Sequence, residues 1–123
     1  MQRTTAQNRG QLGENIARRF LVARGYQFLQ ANFRWYGGEV DLIMKHGEAI
    51  IFVEVKLRTN GAYLPHEAVH QHKKFRLIRT CEVYLKKHCL YERIPFRIDV
   101  VEIILEGTRA KVRHFEDAVM RDT

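Results

Sequence analysis

The run Ala49-Ile50-Ile51-Phe52-Val53 constrains the fold more than any other stretch, because it is apolar without alternation and too short for a buried helix. Its β-branched and aromatic side chains mark it as a strand. A strand that is apolar on both faces has to be covered on both, so it belongs at the centre of a layered α/β domain. Charge returns at once, at Glu54 and Lys56, within the same extended segment.

The flanking sequence supplies the covering layers. Leu12, Ile16, Ala17, Phe20 and Leu21 recur at helical spacing, and Gly25 follows as a stop, which predicts a helix over residues 12–24. Residues 26–34 read as a first strand and 39–44 as a second, joined through Gly37-Gly38. A His46-Gly47 turn leads into the central strand, residues 49–56. After a polar loop, residues 66–89 predict a long helix with Leu77, Ile78, Cys81, Tyr84 and Leu85 on one face. Residues 97–105 form a further strand, and 110–115 its hairpin partner after Gly107. The order α-β-β-β-α-β-β gives an α/β fold, a central mixed β-sheet flanked by helices. Residues 10–115 make one domain, with polar residues 1–9 as a flexible arm and 116–123 as a flexible tail.

No apolar run approaches the roughly 18 residues a membrane span needs, and the polar start lacks the apolar core of a signal peptide, so a cytoplasmic location is expected. Cys81 and Cys89 fall in the same predicted helix, about 12 Å apart at 1.5 Å per residue, too far for a disulfide. Buried free thiols are expected. The formal net charge of +7 points to a polyanionic partner without distinguishing DNA from RNA.

The chemistry concentrates around the central strand. If His46-Gly47 is a two-residue turn, Asp41 faces Phe52 and Glu54 faces Glu39, so Asp41, Glu54 and Lys56 share one surface. Diagonal neighbours lie about 7–8 Å apart at the backbone, close enough for two carboxylates to share an ion. Oxygen donors of this kind suit Mg²⁺ or Mn²⁺ better than zinc. The bland alternative is a solvated charged strand end. Glu14 lies at the rim of the first helix's apolar stripe, where it either leans toward the sheet or forms an ordinary surface pair with Arg18.

Gly38-Glu39-Val40-Asp41-Leu42-Ile43 followed by Phe52-Val53-Glu54-Val55-Lys56-Leu57-Arg58 resembles the YraN family of small bacterial proteins. Gly13-Glu14, Gly25-Tyr26, Asn32-Phe33-Arg34, Lys73 and Arg97-Ile98-Asp99-Val100-Val101 extend the resemblance over residues 10–104. It implies a restriction-endonuclease-like fold of the PD-(D/E)XK superfamily, similar to archaeal Holliday junction resolvases. It also implies a Mg²⁺-dependent (or Mn²⁺-dependent) endonuclease acting on DNA, with branched or otherwise structured DNA expected. Asp41, Glu54 and the Val55 backbone carbonyl would hold the metal. Lys56 would orient the attacking water, and Glu14 would reach the ion through water. A homodimer follows by the same analogy.

Arg58, Lys73, Arg76 and Arg79 are candidate nucleic-acid contacts, within a wider basic helix side that includes His72, Lys86 and Lys87. A solvated helix face is the plainer account of these. Trp35, Tyr36 and Tyr63 are aromatic residues that could stack on bases or serve the core. Two other function classes stay open: a non-catalytic nucleic-acid-binding module of the same fold, and a zinc metallopeptidase using His66-Glu67-Ala68-Val69-His70. Against zinc, Pro65 puts His66 in the first helical turn, and Lys73 and Arg76 stand where the extended motif needs glycine and histidine.

Overall fold

The computed structural model describes residues 5–59 and 71–119. Its elements are α1 (Thr5–Ala23), β1 (Gln27–Trp35), β2 (Gly38–His46), β3 (Ala49–Thr59), α2 (Gln71–Lys87), β4 (Phe96–Glu106) and β5 (Arg109–Phe115). The α-β-β-β-α-β-β order is as expected. The strands form one five-stranded sheet in the order β1-β2-β3-β4-β5. Antiparallel pairing joins β1-β2-β3 and β4-β5, while α2 crosses over to make β3 and β4 parallel.

β3 is the central strand, and its apolar run is buried on both sides. Ile51 and Val53 pack with Leu42, Met44, Val101 and Ile103 beneath Ala17 and Leu21 of α1. Ile50 and Phe52 pack with Ile43 and Ile98 beneath Leu77, Cys81, Tyr84 and Leu85 of α2. One helix per face thus removes an apolar strand from water, the main stabilising term in a domain of this size.

Helix α1 begins at Thr5, inside the segment expected to be an arm. Its added turns are exposed and polar, so no apolar stripe announces them. Its end is where Gly25 predicts it: Gly25 adopts φ 92°, and the Gly25 and Tyr26 amides donate to Val22 and Leu21. Helix α2 closes in the same way, but with Cys89 at φ 58°. Cys81 and Cys89 are both free thiols; Cys81 is buried, whereas Cys89 is exposed because it occupies this left-handed cap. The tail is anchored over its first residues. Ala118 donates to the Ile98 carbonyl, and Val119 is buried in the α2-side core. Among the described residues, no helix is long and apolar enough to cross a membrane.

The β2–β3 hairpin turns at Gly47-Glu48, with His46 opposite Ala49 and Leu42 opposite Val53. This register differs by two residues from that of a His46-Gly47 turn. Gly47 takes the positive φ that a tight turn requires, 60°, from the first turn position. A slip of two preserves which residues share a face, so the strand patterning survives it.

Candidate active site

The site forms where β2 and β3 stop pairing. Their ladder ends at Leu42↔Val53, and one residue further on Asp41 intervenes with its side chain: Val55 N–H donates to Asp41 Oδ2 at 2.7 Å. A carboxylate thus takes the strand amide that a β2 carbonyl would otherwise accept. The same point breaks the alternation of β1 and β2. Met44 and Leu42 belong to the α1-side core, yet Val40, two residues on, belongs to the α2-side core with Ile43. On β1, Ala31 and Phe33 likewise fall on opposite faces, with Asn32 between them at φ 54°. Ala31 pairs with Leu42 and Phe33 with Val40, which sets Asn32 opposite Asp41. Both strands therefore change face together, and the two residues at the crossover leave the regular pleat.

Helix α1 packs against this seam at Gly13. A Cβ there would lie 3.4 Å from both Val55 Cγ1 and Leu57 Cβ. Glu14 follows, and Asn32 Nδ2 donates to its Oε2 at 3.0 Å. Glu14, Asn32, Arg34, Glu39, Asp41 and Val55 line a cavity of about 560 Å³. Arg34 and Glu39 form an ion pair at its rim, Nε to Oε1 3.5 Å.

Glu54 and Lys56 approach from the other side. Alternation along β3 puts them on the Phe52 face, where Glu54 is only 7% exposed. Lys56 Nζ lies 3.9 Å from Glu54 Oε2. Neither lines the cavity that Glu14 and Asp41 share. The four candidates therefore form two halves, Glu14 with Asp41 and Glu54 with Lys56, joined at Asp41.

Electrostatics show how tightly they are joined. Protein atoms enclose the Asp41 carboxylate, and this desolvation pushes its pKa up from 3.8 to about 7. The Val55 amide opposes the rise, Glu54 and then Glu39 add to it, and Lys56 opposes it. The balance of these effects disfavours the charged form of Asp41. Hard oxygen donors of this kind fit Mg²⁺ or Mn²⁺.

The remaining candidates are less central. Arg58 is tucked against Glu102, Nε to Oε2 3.8 Å, with its side chain 18% exposed. Arg76 and Arg79 are exposed on α2. Lys73 lies in the first turns of α2, but its side chain and that of His72 are outside the described residues. So are Tyr63 and the whole of His66-Glu67-Ala68-Val69-His70.

A second carboxylate cluster centres on Asp99, within the Arg97–Val101 segment, for which the sequence suggests no role. Asp99, His114 and Glu116 place ligand atoms within 4.8 Å of one another, a spacing that an ion could use. Arg97 already occupies it. Its guanidinium donates to both Asp99 oxygens (2.9 and 3.1 Å) and to Glu116 (2.9 Å). His114 Nε2 lies 2.7 Å from Asp99 Oδ2, and the Asp117 amide donates to Asp99 Oδ1 at 2.9 Å. These hydrogen bonds to Asp99 hold the Arg97 guanidinium above its ordinary pKa. This network ties the C-terminal segment to β4.

A five-stranded mixed sheet in this order, with a helix on each face and acidic residues where two strands part, is consistent with the restriction-endonuclease-like class of α/β domain. Within it the chain belongs to the YraN family: residues 13–103 match the Uncharacterised protein family UPF0102. Similar relatives are a UPF0102 protein of Caldicellulosiruptor bescii, 38% identical over 89% of this chain and 94% of that protein, and one of Caldanaerobacter subterraneus, 36% identical over 96% and 99%. A Clostridium acetobutylicum member is 44% identical over 78% of this chain and 79% of its own.

Proposed function

We propose that the protein is a metal-dependent endonuclease that hydrolyses phosphodiester bonds in nucleic acid, with structured DNA as its substrate. The observation that supports this most is the half-buried Asp41 carboxylate at the parting of β2 and β3, which accepts from the Val55 amide and is influenced by the charges of Glu54 and Glu39. Asp41 and Glu54 would hold Mg²⁺ or Mn²⁺ with the Val55 carbonyl, and Glu14 would reach it through water. The bound ion supplies an activated water and neutralises developing phosphate charge. Lys56 Nζ, 3.9 Å from Glu54 Oε2, would orient a nucleophile or stabilise the extra charge of the five-coordinate phosphorus. Asn32 would hold Glu14 within the cavity that it shares with Asp41. The net charge of +7 favours a polyanionic substrate, and two free thiols fit a reducing, cytoplasmic setting. Cutting two strands of a junction would call for a homodimer.

The test is a cleavage panel of branched, single-stranded and duplex DNA and RNA in Mg²⁺, Mn²⁺ or EDTA, run beside Asp41→Asn. Metal-dependent cleavage lost in the variant is the expected result. Nucleic-acid binding by both proteins with cleavage by neither would make the chain a binding module.

A further inference from the structure

We propose that the β1–β2 turn and the adjoining face of α2 form a stacking platform for unpaired bases. The inference rests on the nuclease reading, since it names the class of nucleic acid that the active site would receive: single-stranded or branched, not continuous duplex.

Three aromatic side chains stand out on this surface. Trp35 is 36% exposed, Tyr36 87% and Phe75 71%. Trp35 and Tyr36 meet edge to face with centroids 4.7 Å apart. The turn that carries them is held on α2, because a Cβ on Gly38 would collide with Thr80 Oγ1 and lie 2.8 Å from the Arg76 carbonyl oxygen. Between turn and helix runs a cavity of about 750 Å³, lined by Trp35 and Phe75 with Arg76, Arg79 and Lys86. Its one acid, Glu82, accepts a hydrogen bond from Tyr91. Among the described residues neither Arg76 nor Arg79 is in an ion pair.

Exposed aromatic faces beside two guanidinium groups outside any ion pair among the described residues match one chemistry well. Bases offer flat faces for the aromatics, and the linking phosphates offer charge for the guanidinium groups. In continuous duplex the bases stack on one another and present no free face. The platform also adjoins the site, because Arg34 and Glu39, which line the active-site cavity, flank the same turn. A second copy of the chain is the less suitable occupant. A two-fold contact through this face would bring Arg76, Arg79 and Lys86 against their own equivalents.

Trp35 is the sole tryptophan, so its fluorescence reports on the platform directly. Without divalent metal, the protein is titrated with a short oligothymidylate, an abasic strand of equal length, and duplex with the same number of phosphates. We expect the oligothymidylate to quench Trp35 and to bind about fivefold or more tighter than the abasic strand. Tyr36→Ala and Phe75→Ala, both at exposed positions, should each weaken oligothymidylate binding by about fivefold or more and leave the abasic strand unaffected. Equal affinity for the two strands, or variants that bind oligothymidylate like the wild type, would overturn the proposal. So would a wild-type dimer in sedimentation that Tyr36→Ala dissociates without changing oligonucleotide affinity. Cleavage in Mg²⁺ is scored separately: stacking without cleavage contradicts only the active-site reading, and duplex cleavage without stacking contradicts only the platform.

Discussion

Two carboxylate clusters in this domain are settled in opposite ways. At one, Asp99 is fully buried and partnered by Arg97, His114 and the Asp117 amide. At the other, Asp41 accepts from the Val55 amide, and Glu54 and Glu39 raise its pKa further above the rise that burial imposes. The hydrogen bonds of the Asp99 cluster hold β4, β5 and the C-terminal segment together. Burial of the Asp41 carboxylate beside other carboxylates comes at some expense in stability, and on the proposed reading a cation would relieve it. Burial alone does not mark a functional carboxylate; what neutralises it does.

The largest expected contrast is in turnover. Lys56→Ala should lower it by roughly 10²–10⁴ while leaving nucleic-acid affinity nearly intact, as for other positioned catalytic groups. Asp99→Ala should leave the turnover of the folded fraction close to that of the wild type. Equal losses of turnover in folded samples of both variants would erase the distinction between the clusters.

Stability should separate them next, with opposite signs. Asp99→Ala removes two of Arg97's hydrogen bonds, leaves it Glu116 and Tyr26, and should destabilise by about 2–3 kcal/mol in denaturant unfolding. Asp41→Asn removes a carboxylate that the fold disfavours, keeps an acceptor for Val55 N–H, and should stabilise. Between pH 3.8 and about 7 the folded protein retains a proton on Asp41 that the unfolded chain has released. The wild type's stability from this group is therefore highest below pH 4 and declines as pH rises toward 7. The advantage of Asp41→Asn should be on the order of a few kcal/mol at pH 8 and vanish near pH 4. A variant less stable than the wild type at pH 8 would contradict this.

The smallest effect concerns Asn32. Asn32→Ala and Asn32→Gly both lose the bond to Glu14 and should lower turnover alike. Glycine should be the more stable of the two by about 1 kcal/mol, because the backbone there is left-handed.

The sequence exposes this architecture unevenly, for physical reasons. The apolar run of β3 and the stripes of α1 and α2 betray the layers because burial acts on side chains in register with the backbone period. Asp41, Glu54 and Lys56 stand out as charges in or beside that apolar strand. The two-residue difference in the hairpin register leaves the faces unchanged from Leu42 onward, but the change of face at Asp41, which sets it apart from the Glu54 and Lys56 surface, has no mark in the alternation. Asn32 was hidden because a positive φ leaves no mark in an asparagine, and its partner Glu14 is eighteen positions away. The Asp99 network was hidden for the same reason of distance: Tyr26, Arg97, His114 and Glu116 meet only after the sheet forms.

Calorimetric titration with Mn²⁺ of the wild type, Asp41→Asn and Asp99→Asn tests the central claim most directly. Binding should be present in the wild type, weaken about tenfold per pH unit below pH 7 as Asp41 takes up its proton, and persist in Asp99→Asn. It should be lost in Asp41→Asn. Binding that survives Asp41→Asn and disappears in Asp99→Asn would put the metal at the other cluster and contradict the account.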